Sequence, residues 1–263
     1  MDFLLSHDWL GREGPSYAFK WDHFLIIVLM MAVGVFLSLF LRKKEQKTIK
    51  LTLIVLWGVG LAIVTFYYIF IYCLCATHSA GYVFNIESML PFHSCLMFYY
   101  IFPVALFVKN KYVKIAANNF LVIVNMIMGF ITLFVGCPSP GYSALSFFGL
   151  QTLIYHGIIV IVPMIMVVTK FYDLKIEDVK YGLLAFAALG LTMWIFDAIT
   201  GCDYFYFYDG HTFPVFKFIS ENVHHLVWTL LIVSCYVITG CAMHFIIVAI
   251  KYLIDKKQKK TYN

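Results

Sequence analysis

The chain has 263 residues, a formal net charge of +5, 62% hydrophobic residues and 19% aromatic residues, while only 13% are charged. Soluble domains carry about 25% charged residues, so this chain has too little charge to coat a water-soluble fold around so much apolar mass. The balance excludes a soluble enzyme, a disordered chain and a disulfide-stapled secreted domain, and it predicts an all-α polytopic membrane protein.

The first 22 residues lack a basic stretch ahead of a short apolar one, so they read as an external segment rather than a cleaved signal peptide. Seven apolar runs follow, each long enough at ~1.5 Å per residue to approach the ~30 Å hydrocarbon layer. They are His23–Leu41, Leu51–Cys75, Phe92–Val108, Ala116–Gly136, Phe147–Thr169, Tyr181–Thr200 and Val223–Ile250. Pro103 and Pro163 fall inside the third and fifth, which a membrane helix tolerates when its neighbours re-satisfy the backbone. Together the runs make residues 1–263 a single seven-helix transmembrane domain, with no fixed-period repeat and no soluble module.

Lys and Arg alternate along this order. The connection after the first run carries Arg42, Lys43, Lys44, Lys47 and Lys50, and the next has none. The alternate sides of the membrane total 16 and 3. The positive-inside rule then places the N-terminus outside and the C-terminus in the cytoplasm. The same placement reads the +5 charge as orientation, so no nucleic-acid partner is expected, and the tail Lys256–Lys260 reads as an anchor on anionic lipid. The seven Cys form no CxxC or zinc-finger spacing. Cys137 and Cys202 are either a disulfide or two free thiols.

The unusual residues gather toward the external side: His78, Glu87, His93, Cys95, His156, Asp197, Asp203, Asp209, His211, Glu221, Asn222, His224 and His225. Ionisable groups within spans are costly and usually face a cavity or a partner. His156 lies about ten residues inside the fifth run, roughly 15 Å deep, with Gly157 beside it to admit a substrate or another helix. A neutral His is a general base near pH 7. His93 and Cys95 open the third run behind Pro91, and on a regular helix their side chains diverge by about 160°. Cys95 is a candidate nucleophile with His156 as its base, and Asp197 is a candidate orienter of a histidine. The run Tyr204–Tyr208 reads as an interfacial aromatic belt or as lining for a lipid. Glu221, His224 and His225 share one face if a single helix carries them. With His93 and His156 they offer a zinc alternative, in its simplest form His93, His156 and His224.

The motifs LPFHSC, YHGIIVIVP and DAITGCDYFYFY occur in that order between about Phe84 and Trp228. In this the chain resembles the YwaF family of bacterial membrane proteins, which is similar to the eukaryotic transmembrane protein 164 family. It is more distantly similar to the androgen-induced hydrolases of fatty-acid esters. The resemblance implies acyl transfer or ester hydrolysis on lipids in the cell membrane by a Cys or Thr nucleophile and a His. The family His matches His156, and the His opening the last span matches His224. The eukaryotic Cys falls at Phe92, whereas the bacterial Cys falls at Cys95, about 60° away on a regular helix.

These readings converge on an extracytoplasmic-facing site. Cys95, His156 and His93 are its catalytic candidates, supported by Asp197, Asn222, His224 and His225. Membrane lipids are the partners and no cofactor is expected. The rival readings are a zinc-dependent membrane hydrolase and a non-enzymatic lipid-binding or transport protein.

Overall fold

The structure, a computed structural model, describes residues 19–77, 90–135, 144–208 and 214–261. His78, Glu87, Cys137, Asp209 and His211 lie outside the described residues. Those residues contain helices and turns and no strand. In chain order the helices are α1 (Trp21–Leu41), α2 (Gln46–Ala76), α3 (Met97–Phe107), α4 (Lys111–Phe120), α5 (Met126–Val135), α6 (Phe147–Val168), α7 (Val179–Thr200), α8 (Pro214–Asn222) and α9 (His225–Thr261). A π-helical turn, Leu121–Asn125, joins α4 to α5 in one rod.

Among the described residues, six helical stretches are long and apolar enough to cross a membrane: α1, α2, the α4–α5 rod, α6, α7 and α9. The third apolar run behaves differently. Its helix starts at Met97 rather than Phe92 and is 11 residues long, about 16 Å, half of a hydrocarbon layer. Ahead of this helix, Leu90–Leu96 folds as tight turns, with Phe92 N–H bonding the Leu90 carbonyl at 2.9 Å and Leu96 N–H the His93 carbonyl at 2.8 Å.

The other boundaries follow ordinary capping chemistry. Asn110 accepts the N–H groups of Tyr112 and Val113 at the start of α4, and Ser146 accepts that of Gly149 at the start of α6, meeting donors that a helix start leaves unpaired. Gly201, at φ +73°, ends α7 in the left-handed conformation that glycine adopts without penalty. The last apolar run begins at His225. α8 stops at Asn222, so Glu221 and the two histidines do not share one helical face as the spacing predicts.

The bundle has an inner and an outer layer. α6 packs against α1, α2 and α5, and α4 packs against α3 and α7. In α6 and in the α4–α5 rod, 72% of the most apolar window is buried, against 17 to 28% in α1, α2, α7 and α9. Small residues set the closest approaches. A methyl group on Gly157 would collide with Met30 of α1, and one on Gly34 would meet Met164 and Ile161 of α6 at 2.6 and 2.9 Å. Gly157 therefore admits a helix, which is how membrane bundles pack without a hydrophobic drive between helices.

Candidate functional site

The turn Leu90–Leu96 carries the motif LPFHSC into the bundle interior, just before α3. Because it is not α-helical, it points its residues at different neighbours. The Phe92 ring contacts Phe196 and Tyr204 at 5.5 and 5.8 Å, whereas Cys95 packs on the cluster formed by α2, α3 and α5-flanking α6. The two positions therefore do not substitute for one another on one helical face.

Side chains from three helices hold this turn. Asn125, the last residue of the π turn, donates to the carbonyls of Ser94 and Cys95 at 3.1 and 3.4 Å. Tyr155 of α6 donates to the Cys95 carbonyl at 2.8 Å. Tyr236 of α9 donates to the Ser94 hydroxyl at 3.3 Å. The Asn125 side chain is fully buried and its Oδ1 has no partner among the described residues. π turns recur at functional sites because the extra residue re-aims a side chain, and here it aims Asn125 at the turn. Cys95 is half-buried and lies within electrostatic reach of the hydroxyls of Tyr68, Tyr99, Tyr155 and Tyr236. The Tyr99 and Tyr155 rings stack at 5.2 Å.

His156 is buried beside Tyr155, with ring centroids 5.0 Å apart. Its Nδ1 lies 2.7 Å from the Thr152 carbonyl. A carbonyl only accepts, so Nδ1 carries the proton and Nε2 the lone pair. Consecutive helical residues point about 100° apart. Tyr155 takes the direction of Cys95, while His156 shares the stripe of Leu153 and Val160, which packs with Ile26 of α1 and Leu133 of α5. Cys95 and His156 are thus joined through Tyr155 rather than by a direct hydrogen bond.

His93 sits on the segment after α7. Its ring meets Tyr204 edge-on at 5.1 Å and stacks on Tyr206 at 6.4 Å. Asp197, at 1% exposure, positions that segment: its Oδ2 accepts the Tyr204 N–H at 3.1 Å. Asp203 accepts the Tyr208 N–H, and Trp228 donates to the Tyr206 carbonyl. Tyr204, Phe205 and Phe207 are buried, so the aromatic run is an interior wall rather than an interfacial belt. Alternation along an irregular segment gave no sign of that inward fold. Burial pushes the Tyr208 phenol up from its ordinary range, and Asp197 and Asp203 add to the effect. Cys202 is a buried free thiol.

Asn222, His224 and His225 are exposed. Asn222 donates to the Phe218 carbonyl of its own helix at 2.7 Å, and His224 Nδ1 accepts the Leu226 N–H at 3.3 Å, capping α9. The His224 and His225 rings lie 4.7 Å apart. Among the described residues no three His, Cys, Asp or Glu side chains are grouped to hold a metal ion. His93 lies in the aromatic wall, His156 in the inner layer and His224 at an exposed helix start, so the trio does not fit zinc.

Sequence reasoning missed Asn125, Tyr155 and Tyr236. The one available signal was polarity out of place, Asn125 in LVIVNMIMGF above all. In comparison with known proteins, the model of one family, the TMEM164 family, matches residues 18–248. No curated protein and no solved structure matches.

Proposed function

The chain belongs to the TMEM164 family, and from that premise we propose that it transfers or hydrolyses acyl groups on a membrane lipid, with Cys95 as nucleophile. The reading extends to a bacterial YwaF-type protein of the cell membrane, with the N-terminus outside and the Leu90–Leu96 turn plus α3 completing a third of seven crossings. The Lys and Arg alternation of 16 against 3 supports that topology, and with it a Cys95 turn that faces the external side.

The observation that carries the proposal is the three-helix clamp on the Ser94–Cys95 turn by Asn125, Tyr155 and Tyr236. A clamp on backbone carbonyls fixes where the Cys95 side chain stands, which is what a nucleophile in an apolar bundle needs. In the proposed step, Cys95 Sγ bonds to the ester carbonyl carbon and its proton passes through one intervening water to His156 Nε2. The tetrahedral oxyanion accepts a hydrogen bond from the Tyr99 phenol, the one near Cys95 whose proton is not donated elsewhere among the described residues. Its collapse breaks the carbon–oxygen bond, and the leaving alkoxide recovers the proton from His156. Water or a lipid hydroxyl then attacks the thioester and regenerates the thiol. Tyr155 stands between the two residues, its hydroxyl on the Cys95 carbonyl and its ring against His156. His93 lines the approach, and Asp197 sets the aromatic wall on which it rests. Asn222, His224 and His225 act, in this reading, at the external mouth.

The test incubates purified protein in micelles with isotope-labelled phospholipids and reads the products by mass spectrometry. Lyso-lipid or transacylated product is expected, with Cys95→Ala and His156→Ala each lowering its rate about 100-fold or more. Turnover that survives both substitutions overturns the proposal. A lipid retained unchanged by every variant and by the unmodified protein points instead to a lipid-binding protein.

A further inference from the structure

α7 and α9 enclose a groove of about 700 Å³ that opens on the outer surface of the bundle. Its volume falls within the ~300–1,000 Å³ of small-molecule sites. One wall is the α7 stripe Lys180, Leu183, Ala187 and Trp194, and the other is the α9 stripe Thr229, Val233 and Val237. Both stripes recur at helical spacing, so each wall is one continuous helix face. Phe186 and Phe207 form the floor. Leu184 and Leu191 on the rim are 64% and 59% exposed, which places the opening toward hydrocarbon.

The two ends differ. Among the described residues Lys180, one residue inside the start of α7, is the single charged side chain of the lining; it is exposed, with its ammonium 5.3 Å from the Tyr181 ring. Fourteen residues further along, about 21 Å, the groove is closed by Trp194, whose ring stacks on Tyr208 at 6.2 Å and 7° and whose carbonyl accepts the Tyr208 hydroxyl. One turn before Trp194, Gly190 leaves a notch: a methyl group there would touch only Phe207 among the described residues, at 3.4 Å and beyond.

A slot open to lipid, apolar along its length, cationic at the membrane surface and stoppered at depth matches one amphiphile. We infer that the α7–α9 groove binds an acyl chain of an anionic glycerophospholipid, with the lipid phosphate against Lys180 and the chain running past Gly190 to the Trp194–Tyr208 stack. Lys180 supplies the charge complementarity, since its stem lies along apolar surface while its ammonium meets the headgroup layer. The inference rests on the membrane setting and not on chemistry at Cys95.

The test places the full chain in nanodiscs containing phosphatidylglycerol and a phosphatidylglycerol with a mid-chain diazirine. After irradiation, adducts are mapped by peptide mass spectrometry. Adducts are expected to concentrate on α7 and α9 at the groove. Gly190→Phe and Val233→Phe, which fill it from opposite walls, should each lower them about tenfold, a ~1.4 kcal/mol effect, while Gly190→Ala leaves them unchanged. Lys180→Glu should lower them about fivefold, as one cation near an anionic surface implies. Adducts spread evenly over α1, α2, α7 and α9 and indifferent to both Phe variants overturn the inference. So does equal competition by unlabelled phosphatidylglycerol and diacylglycerol.

Discussion

The inner pair, α6 and the α4–α5 rod, and the outer four, α1, α2, α7 and α9, are built from similar apolar sequence but perform opposite tasks. The inner windows are 72% buried and the outer ones 17 to 28%. Yet the inner pair carries Asn118, Asn119, Asn125, Tyr155 and His156, all buried, while the outer four turn Leu, Ile, Val and Phe outward and bury their own polar groups, His23, Ser38, Asp197, Tyr236 and His244, against the bundle. In water the more buried helix would be the more apolar one. In lipid a polar group has nowhere else to find a partner, so polarity moves to the layer where other helices can satisfy it. The Cys95 turn is where this inner polarity is densest.

The comparison makes a graded forecast: substitutions in the inner layer cost much and those on the outer faces little. Asn125→Leu tests it hardest. It removes the amide that bonds two carbonyls at once. The Cys95 carbonyl keeps the Tyr155 hydroxyl at 2.8 Å, so only the Ser94 carbonyl is stranded; a buried acceptor left unpaired costs about 1–3 kcal/mol, and a destabilisation in that range is expected. Thermal unfolding in detergent measures it, and a changed alkylation rate at Cys95 reports release of the turn. An Asn125→Leu protein with unchanged melting and unchanged Cys95 reactivity would break the comparison at its centre. Gly157→Leu comes next. It drives a side chain into Met30 at the α1–α6 contact, and overpacking of this kind costs about 1–3 kcal/mol. Its melting temperature should fall while the Cys95 alkylation rate holds, since α1 lies on the other side of α6 from the turn.

Much of the fold was legible because helix length, capping and hydropathy are local. The start of α6 follows from Ser146 and the end of α7 from Gly201, whereas the fourth apolar run, read from Ala116, misses the polar first turn of α4 that Asn110 caps at Lys111. The short α3 was not legible, because an apolar run that begins with Pro91 reads as a span until the turn geometry is seen. The site was legible only as a set of residues. His156, Cys95 and His93 stood out by type, but their directions depend on the non-helical turn and on α6 facing Tyr155, not His156, toward Cys95. Asn125 gained its role from the π turn, which has no signature in an aliphatic sequence. The split of Glu221 from His224 and His225 across two helices likewise depends on one break at Val223 and His224.

Smaller effects sharpen the comparison from both sides. Tyr155→Phe removes one hydroxyl from the clamp, but the Cys95 carbonyl keeps the Asn125 amide at 3.4 Å, so no acceptor is stranded. The expected cost is that of an ordinary hydrogen bond, about 1 kcal/mol, and the ring stack on Tyr99 stays in place. Leu184→Ala on the outer face of α7 should cost less still. Leu184 is 64% exposed, and in a bilayer the group it meets is a lipid tail as apolar as itself, so truncation exchanges one apolar contact for another. A shift below about 0.5 kcal/mol is expected, measured beside Tyr155→Phe in the same detergent. If Leu184→Ala proved the more damaging of the two, that face of α7 would be packed against protein rather than lipid, and the division into inner and outer layers would have to be redrawn around it.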